Sequence, residues 1–175
     1  MLLTHDHPDH LGDTVEICRN TGATLCSTHE LATMLAEEEN LITEGMNMGG
    51  SLQREGVDIH MVYAQHSTKT GDQVGFIVYM DGKCIYHAGD TGLFGDMKII
   101  GDFFKIDLAL IPIGDRYTMG PPSAARAVSL CRASKVIPMH YNTFPIIRQD
   151  PEKFAELVGS AAEVIILDPG ESCEL

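Results

Sequence analysis

Between Thr4 and Asp13 the sequence reads Thr-His-Asp-His-Pro-Asp-His-Leu-Gly-Asp, so His5, His7 and His10 stand among carboxylates directly after the apolar pair Leu2-Leu3. Neutral imidazole and carboxylate oxygen are donors preferred by zinc and similar divalent ions. The stretch therefore reads as a metal cradle. A strand ending near Thr4 would deliver His5 and His7 to one side of the chain at the two-residue period. Asp9 and His10, past Pro8, would turn toward a second position, and two neighbouring ions could be served from one loop. Asp9 is also placed to orient a metal-bound water. A plain polar helix-entry loop accounts poorly for such a density of histidine.

Three further candidates stand far along the chain, and each follows an apolar, β-like run. Ile59 to Ala64 precede His66, Ile85-Tyr86 precede Asp90, and Val136 to Met139 precede His140. Ligands carried at the ends of several strands can converge in one cleft. Structural histidines would be scattered without that pattern. His87, just before Asp90, is read either as a group acting on or orienting that aspartate or, equally, as a satisfied core histidine. His29 and His60 read as surface or structural residues. Asp115 and Arg116, and Tyr141 and Asn142 beside His140, are weaker candidates for substrate contact. There is no GxSxG elbow, and no cysteine stands in a nucleophile signature.

The HxHxDH stretch resembles the signature of the metallo-β-lactamase superfamily, and His66, Asp90 and His140 occur in the order in which that superfamily supplies its remaining ligands. The blocks His87-Ala-Gly-Asp-Thr-Gly-Leu-Phe94, Pro112-Ile-Gly-Asp115, Thr118-Met-Gly-Pro121 and Pro138-Met-His-Tyr-Asn-Thr-Phe-Pro145 are similar to the prokaryotic UPF0173 metal-dependent hydrolases. The likeness runs from residue 2 to Pro169-Gly170-Glu171-Ser172. It implies an α/β fold, the metallo-β-lactamase-like αββα sandwich. It also implies a first metal held by His5, His7 and His66, a second held by Asp9, His10 and His140, and Asp90 bridging both. A hydroxide shared by two divalent ions would attack an ester, lactone, phosphodiester or related bond of a small molecule, with Asp9 and His87 in catalytic roles. Zn suits the donor set, with Mn or Fe as alternatives. Histidine at position 7, where flavodiiron relatives usually carry glutamate, favours hydrolysis over oxygen chemistry.

Two departures accompany the likeness. Members of the group normally begin well before HxHxDH, with strands and a Gly-His element that have no counterpart here. The expectation is thus one domain over residues 1–175, incomplete at its N-terminus, with an open sheet edge that a second copy could cover. A catalytically silent metal-binding or oligomeric scaffold is the alternative function on that ground. The loop after His66, around Gly71 to Gly75, also looks shorter than usual.

Lys and Arg number 12 against 25 Asp and Glu, a formal net charge of −13, which disfavours nucleic acid or an anionic membrane as partner. A nuclease of the same superfamily would want a basic groove or an added domain, and neither is legible. The apolar runs fall short of the roughly 18 residues that span a bilayer, and no leader is evident. The five cysteines are odd in number and unpaired in spacing, which fits a reducing compartment, the cytoplasm.

The elements that must position these residues follow from periodicity and turn chemistry. Helices are predicted over Leu11–Thr21 with Gly22 as cap, Thr28–Glu39, Leu93–Phe104, Ser123–Cys131, and from Asp150-Pro151 to about Ser160. Strands are predicted over Ala23–Ser27, Ser51–Gln53, Asp58–Ala64, Leu108–Pro112, Val136–Met139 and Val164–Leu167, with Ser172–Leu175 as an edge. Val74–Met80 and Lys83–Tyr86, separated by Asp81-Gly82, form the clearest hairpin. Leu41–Gly50 reads as irregular loop.

Overall fold

The computed structural model describes residues 1–175. Where the sequence predicts a strand ending near Thr4, there is only an isolated parallel bridge between Leu2 and Cys26. The segment is nevertheless held from two directions. Leu3 N donates to Cys26 O at 3.0 Å, and Thr4 O accepts from Val74 N at 3.3 Å, so it lies as a tie between two different sheets. Pro8 opens the single turn α1 (Pro8–Leu11), and α2 (Thr14–Thr21) ends on Gly22 in the left-handed region.

β1 (Leu25–Thr28), α3 (His29–Glu39) and β2 (Thr43–Met46) follow, with β2 pairing parallel to β1 in a small sheet. β2 lies within the stretch expected to be loop. Its glycine and acidic residues carry little strand signal, and backbone pairing to β1 with burial of Met46 outweighs that composition. The larger sheet has seven strands in chain order: β3 (Ser51–Arg54), β4 (Val57–Tyr63), β5 (Val74–Met80), β6 (Lys83–His87), β7 (Leu108–Pro112), β8 (Lys135–Met139) and β9 (Glu163–Val164). Pairing is antiparallel from β3 to β6 and parallel from β6 to β9. The β5–β6 hairpin turns on Asp81 and Gly82, both at positive φ (51° and 74°), as a type I′ turn requires.

Parallel neighbours need crossover connections, and these carry α4 (Met97–Phe103), α5 (Pro121–Cys131) and α6 (Pro151–Val158). α4 is shorter than the sequence predicts, because Leu93 and Phe94 join no element and Gly95 and Asp96 form a turn before it. β9 likewise ends at Val164, and residues 172–175 join no strand. Alternation along β5 sets the layers. Ile77 packs with Tyr86, Ile111, Val128 and Phe154 under the crossover helices, whereas Val74 and Phe76 pack with Cys26, Met46 and Met61 toward the small sheet. Leu25, Leu31 and Leu35 then join Leu3 and Cys18 beneath α2 and α3. This is the αββα layering. No helix is long and apolar enough to cross a membrane.

Tyr86 is fully buried in the main core, and its hydroxyl has no hydrogen-bond partner. Burying a hydroxyl unpaired costs about 1–3 kcal/mol. Tyr86→Phe should therefore leave the thermal midpoint unchanged or raise it. A clear fall in a calorimetric melt would count against the absence of a partner.

Candidate metal centre

The large sheet delivers candidate ligands from its strand ends on one rim. His66 follows β4 by way of Ala64-Gln65, Asp90 follows β6, and His140 follows β8 directly. The cradle His5–His10 is brought over them by the Leu2–Thr4 tie and by α1. Thr4 Oγ1 lies 3.0 Å from His5 Nδ1, which fixes the ring and leaves its Nε2 among the other donors, beside His7 Nδ1.

The donors fall into three overlapping groups, His5 with His7 and His66, His5 with His10 and Asp90, and Asp9 with His10 and His140, within each of which all ligand atoms lie within 4.8 Å of one another. Asp90 stands between the first and the last. Its Oδ1 is 3.2 Å from His10 Nε2, and its Oδ2 is 3.2 Å from His140 Nε2 and 3.7 Å from His66 Nε2. His5 Nε2 is 3.0 Å from His7 Nδ1, and Asp9 Oδ2 is 3.4 Å from His140 Nε2. Two nitrogen donors at 2.0–2.1 Å on a tetrahedral cation stand about 3.3 Å apart, so these separations match a chelating set. His10 Nε2 and Asp90 Oδ1 are buried without a well-directed hydrogen bond. Such orphaned donors fit a cation and are costly without one.

The local electrostatics tell the same story. Burial, with His10 close by, pushes His5 down to about 3, so it stays neutral and able to ligate. Burial also lowers His66. Burial works against the charged form of Asp90, but His10, His140 and His66 outweigh it and hold the carboxyl below the usual range. For His10 burial is likewise outweighed, here by Asp90 and Asp9, and its pKa is raised.

His87 does not line this cleft. It lies on the face of β6 opposite Tyr86, beside Leu2, Phe76 and Leu110, and its Nδ1 accepts from Gly89 N at 3.1 Å. That contact braces the turn into Asp90 from behind, an orienting position with no contact to a reacting group. His29 and His60 are not among the clustered donors.

Several residues that hold the site carry no motif of their own. Asp6 Oδ1 accepts from Thr68 Oγ1 at 2.9 Å and Lys69 N at 3.0 Å, pinning the loop after His66. Thr91 is fully buried, and its Oγ1 accepts from Gln65 N at 2.9 Å and donates to Gly92 O at 2.7 Å. It clamps the loop that carries His66 to the one that carries Asp90. Gly89, at φ 64°, lets Val74 O pass where a Cβ would come within 2.6 Å. Asp6, Gly89 and Thr91 lie in stretches already notable in the sequence, but nothing there marks them as supports, and Gln65, Thr68 and Lys69 lie outside any such stretch.

Residues 1–141 match the family model described as the β-lactamase superfamily domain. The chain is 45% identical to a UPF0173 metal-dependent hydrolase of Methanosarcina mazei, with 100% of this chain and 80% of the relative aligned. It is 49% identical to one of Caldivirga maquilingensis, over 100% of this chain and 79% of the relative. The chain belongs to the UPF0173 metal-dependent hydrolases of the β-lactamase superfamily. Among solved structures it is similar to Igni18, a metallo hydrolase from Ignicoccus hospitalis, with TM-score 0.92 and 43% identity over 97% of this chain and 76% of that one. An isothiocyanate hydrolase from Delia radicum gut bacteria shares the metallo-β-lactamase fold at TM-score 0.78 and 18% identity, over 99% of this chain and 75% of that one.

For this UPF0173 hydrolase the Thr91 clamp makes a direct prediction. Thr91→Val removes both hydrogen bonds and leaves Gln65 N unpaired. It should cost about 1–3 kcal/mol of stability and weaken metal binding through His66. A denaturant melt alongside a zinc titration checks both effects. Wild-type values in each would show that the clamp is dispensable.

Proposed function

We propose that this hydrolase uses two divalent cations, Zn by the nature of its donors, to cleave an ester, lactone, phosphodiester or related bond in a small molecule. The observation that carries the reading is the position of Asp90, whose two oxygens face histidines belonging to both outer ligand groups. His5, His7 and His66 would hold one ion, and Asp9, His10 and His140 the other, with Asp90 shared. When bound, two such ions would lower the pKa of a bound water and polarise the bond to be cut.

The chain's own residues supply the rest. Asp9 is half exposed at the cleft mouth while its Oδ2 faces His140, so it can orient water and take up a proton on the solvent side. Thr4 fixes His5, and His87 with Gly89 fixes the approach of Asp90. The buried, uncharged His5 keeps its Nε2 lone pair for a cation rather than a proton. A silent scaffold is disfavoured, since relatives named as hydrolases align along the whole chain. Buried free thiols at Cys18, Cys26, Cys84 and Cys131 are in keeping with the cytoplasm.

Elemental analysis of chelator-washed, reconstituted protein tests this reading. About two ions per chain should bind, falling in both His66→Ala and His140→Ala, with turnover in a panel of activated esters, lactones and phosphodiesters. One ion, or two ions with no turnover, would overturn it.

A further inference from the structure

The cleft over the ligands has a volume of about 390 Å³, the size of a small-molecule site. Apart from the metal donors its lining is Pro8, Ser67, Tyr117 and Phe144. None of these is cationic. A substrate bearing a phosphate or carboxylate away from the reacting bond would find no Lys or Arg there to receive it, and the net charge of −13 repels anions at long range. Tyr117 and Phe144 are instead large rings left 52% and 40% exposed at the rim of a concave site, where apolar surface marks a contact for a ligand.

Both rings are presented by locked loops. Around Tyr117, Asp115 N donates to Met119 O at 2.9 Å, Thr118 N donates to Asp115 O at 2.6 Å, and Met119 N donates to Thr91 O at 3.1 Å. Around Phe144, Asn142 N donates to Ile147 O at 3.1 Å and Asn142 Oδ1 accepts from Gln149 N at 2.9 Å, while Ile147 is buried. Asp115, Arg116, His140 and Asn142 all take positive φ without being glycine. Backbone strain of this kind persists where surrounding structure over-determines it, and it gathers at ligand sites.

We infer that the substrate carries a flat apolar group, an aryl or similar ring, beside the bond that is cut, seated against Tyr117 and Phe144, and has no second anionic group. This rests on the hydrolase reading of the same cleft. The seat is pre-formed, so little ordering entropy is spent in filling it.

Binding of 2-naphthol to the zinc-loaded protein, followed by the fluorescence of the naphthol, tests the seat apart from catalysis. Tyr117→Ala and Phe144→Ala should each weaken binding about tenfold, the scale of a lost aromatic contact, with zinc content unchanged. Tyr117→Phe should bind as the wild type does, and 2-naphthol-6-sulfonate should bind about tenfold more weakly than 2-naphthol for want of a cation. If both alanine variants bind 2-naphthol normally, or the sulfonate binds equally well, the aromatic seat is overturned whether or not the protein is active. Expected binding together with no hydrolysis of 2-naphthyl acetate or of the wider panel would sink the hydrolase reading and leave the seat standing.

Discussion

Asp90→Asn should lower hydrolysis by about a thousandfold or more, equivalent to about 4 kcal/mol of transition-state stabilisation, and should release at least one of the two cations. The substitution keeps the size of the side chain and removes its charge. Asp90 is almost fully buried, at 3% exposure, and lies within 3.7 Å of ring nitrogens of His10, His66 and His140. An amide there offers one oxygen in place of two and turns an NH₂ donor toward nitrogens that should be giving lone pairs to a metal. Charge neutralisation at the shared position is lost at the same time. Steady-state kinetics on zinc-loaded samples, with metal counted in parallel, reads both effects. A variant that keeps two ions and a rate within a few-fold of wild type would show that Asp90 is not shared between them.

The second large effect is expected at Gly114, which touches no ligand atom. A Cβ built there would come within 2.3 Å of His140 O and 3.1 Å of Ile147 Cβ. The carbonyl belongs to the backbone and cannot rotate aside, and His140 is already in the left-handed region at φ 56°. Gly114→Ala must therefore displace the turn after β7 or the His140 loop. Overpacking of this kind costs about 1–3 kcal/mol. Moving a support of a ligand typically weakens metal affinity by about 10–100-fold. Competition against a chelator should show the loss, and Gly95→Ala, where nothing lies within 4 Å of the added atom, should show none.

The candidate ligand residues were legible because their chemistry is concentrated and punctuated. His5, His7 and His10 fall within one short run, and His66, Asp90 and His140 each close an apolar β-like segment. The β5–β6 hairpin was equally plain, since Asp81-Gly82 dictates its own turn. What escaped depends on partners distant in sequence. β2 is a strand because β1 lies beside it, and the residues near Thr4 remain a tie because they answer to two sheets at once. Gly114 stands in one of the quoted blocks, but the reason for a glycine there is hidden until His140 is placed against it. The predicted C-terminal strand is cut short because only Glu163 and Val164 find register with β8. Tyr117 falls between two of the quoted blocks and Phe144 within one, but only the cleft gives them a shared setting.

The chain-order succession of strands in the large sheet also bears on how the molecule comes together. Each strand from β3 to β9 can dock on the one just before it, so the frame holding His66, Asp90 and His140 can grow by short-range steps of low entropic cost. The cradle at the other end of the sequence has no such route. It must be recruited across most of the chain, and the Leu2–Thr4 tie gives it only a few hydrogen bonds. Cations gripped on one side by His5 with His66 and on the other by His10 with His140 would act as clasps on that recruitment, making the cradle the first part to open when the ions are withdrawn and the last to settle when they return.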